Sequence, residues 1–465
     1  MKKYIYLLFG TVFLSLMINV WSCRRGNSEH TPLPLHDLPE IKDSGRLVVL
    51  TLYSSTTYFN YRGESMGFQY ELSKQFADKL GVDIEVKIAE NPKKLQQMLL
   101  QGEGDLIAYN LPVTLEGRDS LLYCGEEVIS HQVLVQRGGR RENPLTDVTQ
   151  LVGKSVYVKP GRSLLRMQHL DKELGGGIDL HVVSGDSITE EDLMELVALG
   201  EIDYTVADNE VAKLNRTYYP NLNITLQVGF EQRSSWAVRK DQPLLAEAAN
   251  AWHRANQTSP AYKASMKRYF ELSKNRPHDY TLVIKDGKIS PYDELFKQYA
   301  DSIGWDWTLI ASLAYKESTF DTAVVSWAGA RGLMQLMPRT ARLMGIPEGR
   351  ETNAEESVRA AVKYLKLLER SFLKRVPDAD ERINFVLASY NAGIGHVFDA
   401  MALAEKHGSN KQVWHDNVEK YILFKSKPEY YNDSLCRNGY FRGIETYNFV
   451  REIRARHKVY KMKVK

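Results

Sequence analysis

The chain has 465 residues, of which 43% are hydrophobic and 26% are charged, and its formal net charge is +3. This length predicts two or three domains, and the composition is ordinary for a globular protein. The nearly balanced charge excludes the strongly basic footprint of a nucleic-acid-binding protein. The 11 histidines and 3 cysteines show no metal-ligand spacing, and no GKS/T phosphate loop occurs. We therefore expect neither a metal nor a cofactor.

The N-terminus has the pattern of an export signal. Two lysines precede an apolar run from Tyr4 to Val20. The Ser22-Cys23 pair after this run resembles a bacterial lipoprotein cleavage site, which implies removal of residues 1–22 and lipidation of Cys23. The alternative is an uncleaved membrane anchor, because the run is nearly long enough to span a bilayer. In both cases the rest of the chain lies outside the cytoplasm.

Strands alternate with helices from residue 44 onward, after a proline-containing segment at 23–43 that predicts an extended tether. Hydrophobic periodicity predicts strands at 47–52, 84–88, 105–109, 155–158, 180–183 and 204–207, and helices at 68–80, 93–100, 163–174 and 190–199. Such alternation is typical of a mostly parallel sheet covered by helices. Two successive sets predict a two-lobed α/β domain with a ligand-binding cleft between the lobes.

Three stretches of this region carry a resemblance to a known family. They are GFQYELSKQFADKLG at 67–81, GDLIAYNLPVTLEGR at 104–118 and GEIDYTVADNEVA at 200–212. Over residues 44–272 the chain resembles the extracellular solute-binding proteins for polar amino acids. The resemblance implies that Arg118 clamps a ligand carboxylate and that Asp208 holds a ligand amine, roles that suit a guanidinium and a carboxylate. The alternative is that both residues form surface or interlobe salt bridges.

The second half of the chain is predicted to be mainly helical, over 291–465, after a linker at 273–290. Its first helix, in WDWTLIASLAYKESTF from Trp305, places Glu317 on the apolar stripe. Burial and the nearby helix C-terminus both favour a protonated carboxyl group, as a general acid requires. The alternative is a helix that ends one turn early and leaves Glu317 at the surface. The basic stretch at 451–465 predicts a solvated tail.

Three motifs of this helical half carry a second resemblance. KESTF at 316–320, ARGLMQLMP at 330–338 and ASYNAG at 388–393 follow one another in the order found in the lytic transglycosylase domain shared with goose-type lysozymes. The resemblance implies a mainly α lysozyme-like fold. It also implies that the chain cleaves the β-1,4 bond between N-acetylmuramic acid and N-acetylglucosamine of peptidoglycan glycan strands. This lyase reaction leaves 1,6-anhydromuramoyl ends and requires one carboxyl group, that of Glu317.

The same resemblance assigns the other residues of the cleft. Substrate-binding roles fall on Ser318, Met334, Gln335, Tyr390 and Asn391. Tyr390 is expected to hydrogen-bond Glu317 or the acetamido group of the substrate. Phe449 stands where the family often has a cleft tyrosine, so any hydroxyl contact there is lost. Trp327 and Trp414 are candidates for sugar stacking, although single tryptophans more often belong to the core.

The fusion of a binding fold to a cleaving fold suggests regulation. Our hypothesis is that muropeptides or amino acids bind the first half and shift the catalytic half toward its active arrangement. The resemblance also implies an outer-membrane location, on the periplasmic face. The alternatives are a lipid-anchored solute or muropeptide receptor with an inactive lysozyme-like domain, and a muramidase that hydrolyses its substrate. Cys124 and Cys436 fall in different predicted domains and are expected to remain separate thiols.

Overall fold

A computed structural model describes residues 36–139, 142–184, 188–272, 274 and 287–464. The predicted signal peptide, Cys23, most of the tether and most of the linker lie outside these residues. Within the part of the chain that the structure describes, none of the helices has both the length and the apolar character needed to span a bilayer.

The first half of the chain forms two α/β lobes. The strands are β1 (Arg46–Leu52), β2 (Phe59–Tyr61), β3 (Glu64–Met66), β4 (Asp83–Ala89), β5 (Leu106–Pro112), β6 (Leu121–Ser130), β7 (Gln132–Arg137), β8 (Ser155–Val158), β9 (Asp179–Val182), β10 (Tyr204–Asp208), β11 (Leu222–Asn223) and β12 (Gln232–Arg239). The helices are α1 (Leu38–Ser44), α2 (Phe68–Leu80), α3 (Pro92–Leu100), α4 (Leu115–Ser120), α5 (Arg162–Glu173), α6 (Glu190–Leu199), α7 (Asn209–Tyr218), α8 (Pro243–Asn256) and α9 (Pro260–Phe270).

Each lobe is built around one five-stranded sheet. The first has the order β4-β1-β5-β12-β6 and the second the order β11-β7-β10-β8-β9. In the first sheet β1 is parallel to β4 and β5, whereas β12 is antiparallel to β5 and β6. In the second, β7 runs antiparallel to β10. The two-lobed α/β prediction is confirmed, but the sheets are mixed rather than mostly parallel, because the chain crosses between the lobes twice, from β6 to β7 and from β11 to β12.

Strand β1 shows why the predicted α/β pattern is correct. Leu47 and Val49 face the same core as Phe76 of α2, whereas Leu50 belongs to a second core on the opposite face of the sheet. A parallel strand covered on both faces needs apolar side chains at both alternating sets of positions, which its sequence RLVVLTL supplies. Helix α2 ends at Gly81, whose φ of 76° is left-handed and closes the last turn.

The second half is mainly helical, as predicted. Its helices are α10 (Asp293–Ala300), α11 (Trp307–Ser318), α12 (Pro338–Met344), α13 (Ala354–Phe372), α14 (Ala379–Ala392), α15 (Ile394–Lys406), a short π-helix (Trp414–Val418), α16 (Glu419–Phe424), α17 (Pro428–Tyr431) and α18 (Ile444–Lys463). Helix α11 lies between α10 and α18, and α14 packs against α13, α15 and α18. Trp414 is fully buried beside Phe385, so it belongs to this core.

The basic C-terminal stretch is not a solvated tail, contrary to the prediction. It continues α18 as far as Lys463 and packs along α11. The Arg456 guanidinium lies 3.7 Å from the ring centre of Tyr315, and Arg454 pairs with Asp380 at 2.6 Å. The alkyl parts of these long side chains cover apolar surface, while their charged groups contact Tyr315 and Asp380. The prediction was wrong because it used only the basic composition of the segment. Cys124 and Cys436 are both free thiols, as expected.

A glycine-containing turn between α11 and α12 fixes the backbone next to Glu317. Gly329 and Gly332 both have left-handed backbone conformations, with φ of 90° and 77°. A Cβ atom at Gly332 would overlap the carbonyl oxygen of Glu351, whereas a Cβ atom at Gly329 would meet no atom within 4 Å. Position 332 therefore requires glycine both for its left-handed backbone and for its lack of a side chain, whereas position 329 requires it only for its left-handed backbone.

Substitution of these two glycines separates the two requirements. Gly329→Ala is expected to lower the free energy of unfolding by about 1–2 kcal/mol, the cost of a left-handed alanine. Gly332→Ala is expected to lose about 1–3 kcal/mol more, because its methyl group displaces the Glu351 backbone. Thermal unfolding of both variants measures the difference. Equal shifts in Tm would contradict the close approach of the turn to Glu351.

Candidate active site

A cleft of about 380 Å³ opens beside the C-terminal end of α11. The residues that matter for its chemistry are Glu317, Gln335, Asn391, Glu445 and Phe449 from the helical half, together with Arg62 from the first lobe. Trp327 also lines this cleft, where its ring lies 5.4 Å from that of Tyr61. Both halves of the chain therefore contribute to one site.

Glu317 occupies the last turn of α11, so this helix does not end early. Its side chain is only 5% exposed. The helix stops at Thr319, which adopts a left-handed conformation with φ of 54° and donates its N–H to the Tyr315 carbonyl. This ending holds the Glu317 carboxyl group at the wall of the cleft. The adjacent Lys316 turns to Glu452, with its Nζ 2.6 Å from Oε2.

The other predicted site residues divide into two groups. Gln335 and Asn391 line the cleft with Glu317. Ser318, Met334 and Tyr390 are buried behind it: the Ser318 hydroxyl donates to the Leu333 carbonyl at 2.8 Å, and the Tyr390 hydroxyl donates to the Met334 carbonyl at 2.7 Å. The side chains of Ser318 and Tyr390 therefore hold the glycine-containing turn at two neighbouring carbonyl groups. The Tyr390 hydroxyl, which we expected to hydrogen-bond Glu317 or the acetamido group of the substrate, donates its hydrogen to the Met334 backbone carbonyl.

Gln335 is held in a strained conformation that directs its carbonyl toward the cleft. Its φ of 48° is left-handed, and its Nε2 donates to the carbonyls of Val324 and Gly332 at 2.9 and 2.8 Å. Both side-chain contacts lie within the turn, so they compensate for the cost of the backbone conformation. The carbonyl oxygen of Gln335 is left to accept a hydrogen bond from outside the turn.

That donor is Arg62, which lies at the tip of a hairpin formed by β2 and β3. Tyr61 pairs with Glu64, and the two residues between them, Arg62 and Gly63, have φ of 50° and 77°. Two consecutive left-handed residues form the tight turn that matches strand twist in short hairpins. The hairpin projects from the first lobe into the cleft of the helical half. There the Arg62 N–H donates to the Ala392 carbonyl at 3.2 Å.

The Arg62 guanidinium contacts Glu317 directly. Its Nη2 lies 3.0 and 3.1 Å from the two carboxylate oxygens, and its Nη1 donates to the Gln335 carbonyl at 2.8 Å. Both side chains are nearly buried, at 10% and 5% exposure. Burial is the largest single effect and lowers the pKa of Arg62, but Glu317, together with Tyr61 and Tyr390, outweighs it, so the net shift is upward. A guanidinium this close favours the ionised carboxyl. That Glu317 is a protonated acid stays a prediction, and the contact with Arg62 opposes it.

Further contacts seat the hairpin around Arg62. His396 Nε2 donates to the Asn60 carbonyl at 3.0 Å. A Cβ atom at Gly393 would lie 3.1 Å from the Gly63 nitrogen, so the hairpin backbone passes close to the start of α15. Burial, opposed in part by Arg62, raises the pKa of Tyr61 to about 12. The hairpin thus lines the cleft as a packed element rather than through one side chain.

A second carboxyl group, that of Glu445, lines the same cleft. Burial raises its pKa, while Arg442 and Lys274 oppose that shift. Burial also lowers the pKa of Lys274 to about 7. The next residue of α18, Thr446, donates its hydroxyl to Asn391 Oδ1 at 2.6 Å and so fixes the Asn391 amide. Phe449 is buried at the wall of the cleft, as its position in the predicted motif implied.

A separate cavity of about 240 Å³ lies between the two α/β lobes. Asp208 lines it, in agreement with the sequence prediction. Arg118 does not: it is exposed on α4, outside the cavity, and the structure does not bring it together with Asp208. The arginine that lines the cavity is Arg162, at the start of α5.

The helical half also contacts the second lobe. Glu191 of α6 accepts hydrogen bonds from Arg442 Nη1 at 3.0 Å and from the Tyr440 hydroxyl at 3.2 Å, and it also contacts the Ser55 hydroxyl of the first lobe. The Arg442 guanidinium lies 3.8 Å from the ring centre of Tyr218. Glu191 therefore joins both lobes and the helical half at one point, next in sequence to Glu190 of the interlobe cavity.

Comparisons with known proteins agree with both resemblances. A model of bacterial extracellular solute-binding proteins, family 3, matches residues 47–272, and a model of the transglycosylase SLT domain matches residues 294–413. A solved mutant of ArgBP from T. maritima shares 25% identity with this chain and covers 50% of it, and 98% of its own chain is covered, with a TM-score of 0.38.

Two relatives align with this chain across both of the regions that the family models match. A membrane-bound lytic murein transglycosylase F of Desulfosudis oleivorans is 33% identical over 439 residues, which are 92% of this chain and 93% of that protein. A protein of the same name from Sodalis glossinidius is 30% identical over 458 residues, or 97% and 94% of the two chains. The chain therefore belongs to the family of membrane-bound lytic murein transglycosylases F.

Proposed function

We propose that this protein is a peptidoglycan lytic transglycosylase whose catalytic acid is Glu317. The observation that carries the proposal is the position of that carboxyl group: it is buried at the wall of a cleft, beside Gln335 and Asn391. The family to which the chain belongs supports the same activity. The substrate bond is the β-1,4 bond between N-acetylmuramic acid and N-acetylglucosamine, and the product carries a 1,6-anhydromuramoyl end.

The proposed reaction uses one carboxyl group twice. Glu317 donates its proton to the bridging oxygen, and the C–O bond to the muramic acid breaks while its acetamido group stabilises the developing positive charge. The Glu317 carboxylate then accepts the proton of the 6-hydroxyl group, whose oxygen closes the anhydro ring on C1. Asn391, held by Thr446, supports sugar binding at the cleft wall. Ser318, Met334 and Tyr390 act by holding the turn that carries Gln335.

Hydrolysis by two carboxylates is the competing mechanism, because Glu445 lines the same cleft. Glycosidases that invert configuration need an ionised second carboxylate that activates water. Burial raises the pKa of Glu445 and so disfavours the ionised form that would activate water. An inactive receptor is disfavoured because Glu317, Gln335 and Asn391 are all present and together at the cleft.

Arg62 is proposed to hold the enzyme in a resting state. Its guanidinium fills the place next to Glu317 that the sugar needs, and its charge favours the carboxylate, which has no proton to donate. The active arrangement therefore requires withdrawal of the hairpin that carries Arg62. This withdrawal frees the Glu317 carboxyl group to take up a proton and opens the cleft to the glycan strand.

Ligand binding between the lobes is proposed to drive this withdrawal. The helical half contacts the first lobe through Arg62 and the second lobe through Glu191 and Tyr218. If muropeptides or amino acids close the two lobes on each other, both sets of contacts cannot be kept, since the two lobes move relative to one another. The ligand shifts the equilibrium by its higher affinity for the closed lobes.

The lipid anchor at Cys23 and the outer-membrane location are also proposals. They rest on the signal pattern of residues 1–22 and on the membrane-bound relatives. Cells grown with radioactive palmitate are expected to label the wild-type protein and not the Cys23→Ser variant. Labelling of both proteins, or of neither, would contradict an anchor at Cys23.

Replacement of Glu317 tests the catalytic assignment. Glu317→Gln keeps the shape of the side chain but removes its acid–base function, so the release of soluble muropeptides from purified sacculi is expected to fall by about 10²–10⁴-fold. The matched control is Glu348→Gln, which makes the same change at an exposed position of the same half. Mass spectrometry of the wild-type products is expected to find anhydro ends, lighter by one water than hydrolysed ends. A Glu317→Gln variant that still solubilises sacculi would exclude the proposed mechanism.

Replacement of Arg62 tests the resting state. Loss of charge-assisted hydrogen bonds worth about 1.5–3 kcal/mol each favours the open arrangement, so Arg62→Ala is expected to digest sacculi about tenfold faster, or more, without added ligand. Arg46→Ala serves as the control, because Arg46 is an exposed arginine of the same lobe paired with Glu85. An unchanged or lower initial rate for Arg62→Ala, with the protein still folded, would show that this contact does not restrain the enzyme.

A further inference from the structure

The interlobe cavity has a charge distribution that defines its ligand. We infer that it binds a dibasic amino acid, free or as the end of a peptide, with one carboxylate at Arg162 and two cationic groups at Asp208 and Glu190. This inference rests on the proposed regulatory role of the cavity and adds the chemical class of the ligand. In this inference Glu190 selects the second cationic group. The sequence analysis did not predict Glu190 as a ligand contact.

The cavity is lined by residues of both lobes and is the size of a small ligand. Thr56, Gln69 and Tyr109 come from the first lobe, and Ser163 and Glu190 come from the second. Its volume of about 240 Å³ lies below the range of roughly 300–1,000 Å³ that holds drug-sized molecules. A single amino acid or a terminal residue fits such a space, whereas a whole disaccharide-peptide does not.

The negative charge of the cavity exceeds its positive charge. Asp208, Glu190 and Glu210 supply carboxylates, and Arg162 supplies the guanidinium. Glu210 pairs with Lys213 at 3.1 Å, but among the residues that the structure describes no cationic side chain lies within ion-pair distance of Asp208 or Glu190. Two carboxylates thus face the cavity without a salt-bridge partner. A ligand with two cationic groups would supply both partners.

The surroundings make these two carboxylates costly without a ligand. Burial raises the pKa of Asp208, and burial also raises that of Glu190, to which the nearby charge of Asp208 adds. The Ser163 hydroxyl donates to Glu190 Oε1 at 3.2 Å and orients this carboxyl group. An ammonium group between the two carboxylates would remove the unfavourable charge interaction and replace the lost hydration. The cation site is therefore preformed.

Two further features of the cavity indicate a ligand. Ser130 is 5% exposed and lines the cavity, yet its hydroxyl has no hydrogen-bond partner within the described part of the chain. Arg162 stands in the first turn of the 12-residue helix α5, whose cap residue Gly161 provides no side-chain hydrogen bond. The free N–H groups of that turn and the guanidinium together suit a carboxylate. The anion site and the cation site thus lie side by side on the second-lobe wall of one cavity.

Calorimetry on the full chain, purified in detergent, tests the inference with three probes. L-lysine has the α-carboxylate and two ammonium groups, L-norleucine lacks the side-chain ammonium, and L-glutamate carries the opposite side-chain charge. L-lysine is expected to bind at least tenfold more tightly than L-norleucine, and L-glutamate is expected to bind most weakly. Glu190→Gln is expected to remove the difference between lysine and norleucine, and Asp208→Asn to weaken both. The control is Glu201→Gln, an exposed change on the same lobe that leaves all three affinities unchanged.

The outcomes separate this inference from the proposed function. Norleucine or glutamate binding as tightly as lysine, or a lysine preference that survives Glu190→Gln, overturns the ligand class but leaves the cavity as a binding site. No binding of any probe overturns both the ligand class and amino-acid regulation through the cavity. Sacculus digestion measured on the same preparations reports independently on Glu317. Loss of the lysine preference in Glu190→Gln alone supports the inference.

Discussion

The structure depends on one buried contact between the two halves of the chain, the ion pair of Arg62 and Glu317. Two charges removed from water are tolerated only when each has its partner and its hydrogen bonds. Arg62 meets this condition with Glu317 and the Gln335 carbonyl, while its Nε has no hydrogen-bond partner among the described residues. Separation of the pair leaves a charge uncompensated unless Glu317 takes up a proton. This contact between the two halves is therefore the one through which we propose that the protonation of Glu317 is controlled.

The fold explains how a ligand in the interlobe cavity could affect the contact between Arg62 and Glu317. Thr56 and Thr57 line the interlobe cavity, and the chain then continues into the hairpin that carries Arg62. On the second lobe, Glu190 lines the cavity and the adjacent Glu191 binds Arg442. Each lobe thus connects the cavity to the helical half within a few residues. Rearrangement of the lobes has a short physical route to the catalytic acid.

Local pattern predicted the fold class of both halves and the burial of Glu317. The apolar stripe of α11 placed Glu317 at a buried position, and strand–helix alternation predicted six strands and four helices of the two lobes, with ends within about three residues of those observed. Arg62 was missed because its role depends on a contact 255 residues away in sequence, and its strands have three residues each, too few for periodicity. An Arg-Gly pair between two short runs is the only local signal of this hairpin. Ser318 and Tyr390 lie behind the cleft wall rather than on it, because packing directs their hydroxyls to backbone carbonyls.

Hydrogen–deuterium exchange, measured during titration with muropeptides alongside sacculus digestion, tests most directly whether Arg62 must leave Glu317 before cleavage. The amide of Arg62, which donates to the Ala392 carbonyl, is the reporter of the closed arrangement. Our account predicts that this amide loses protection over the same range of muropeptide concentration in which the cleavage rate rises. Full cleavage activity with the Arg62 amide still protected would contradict it.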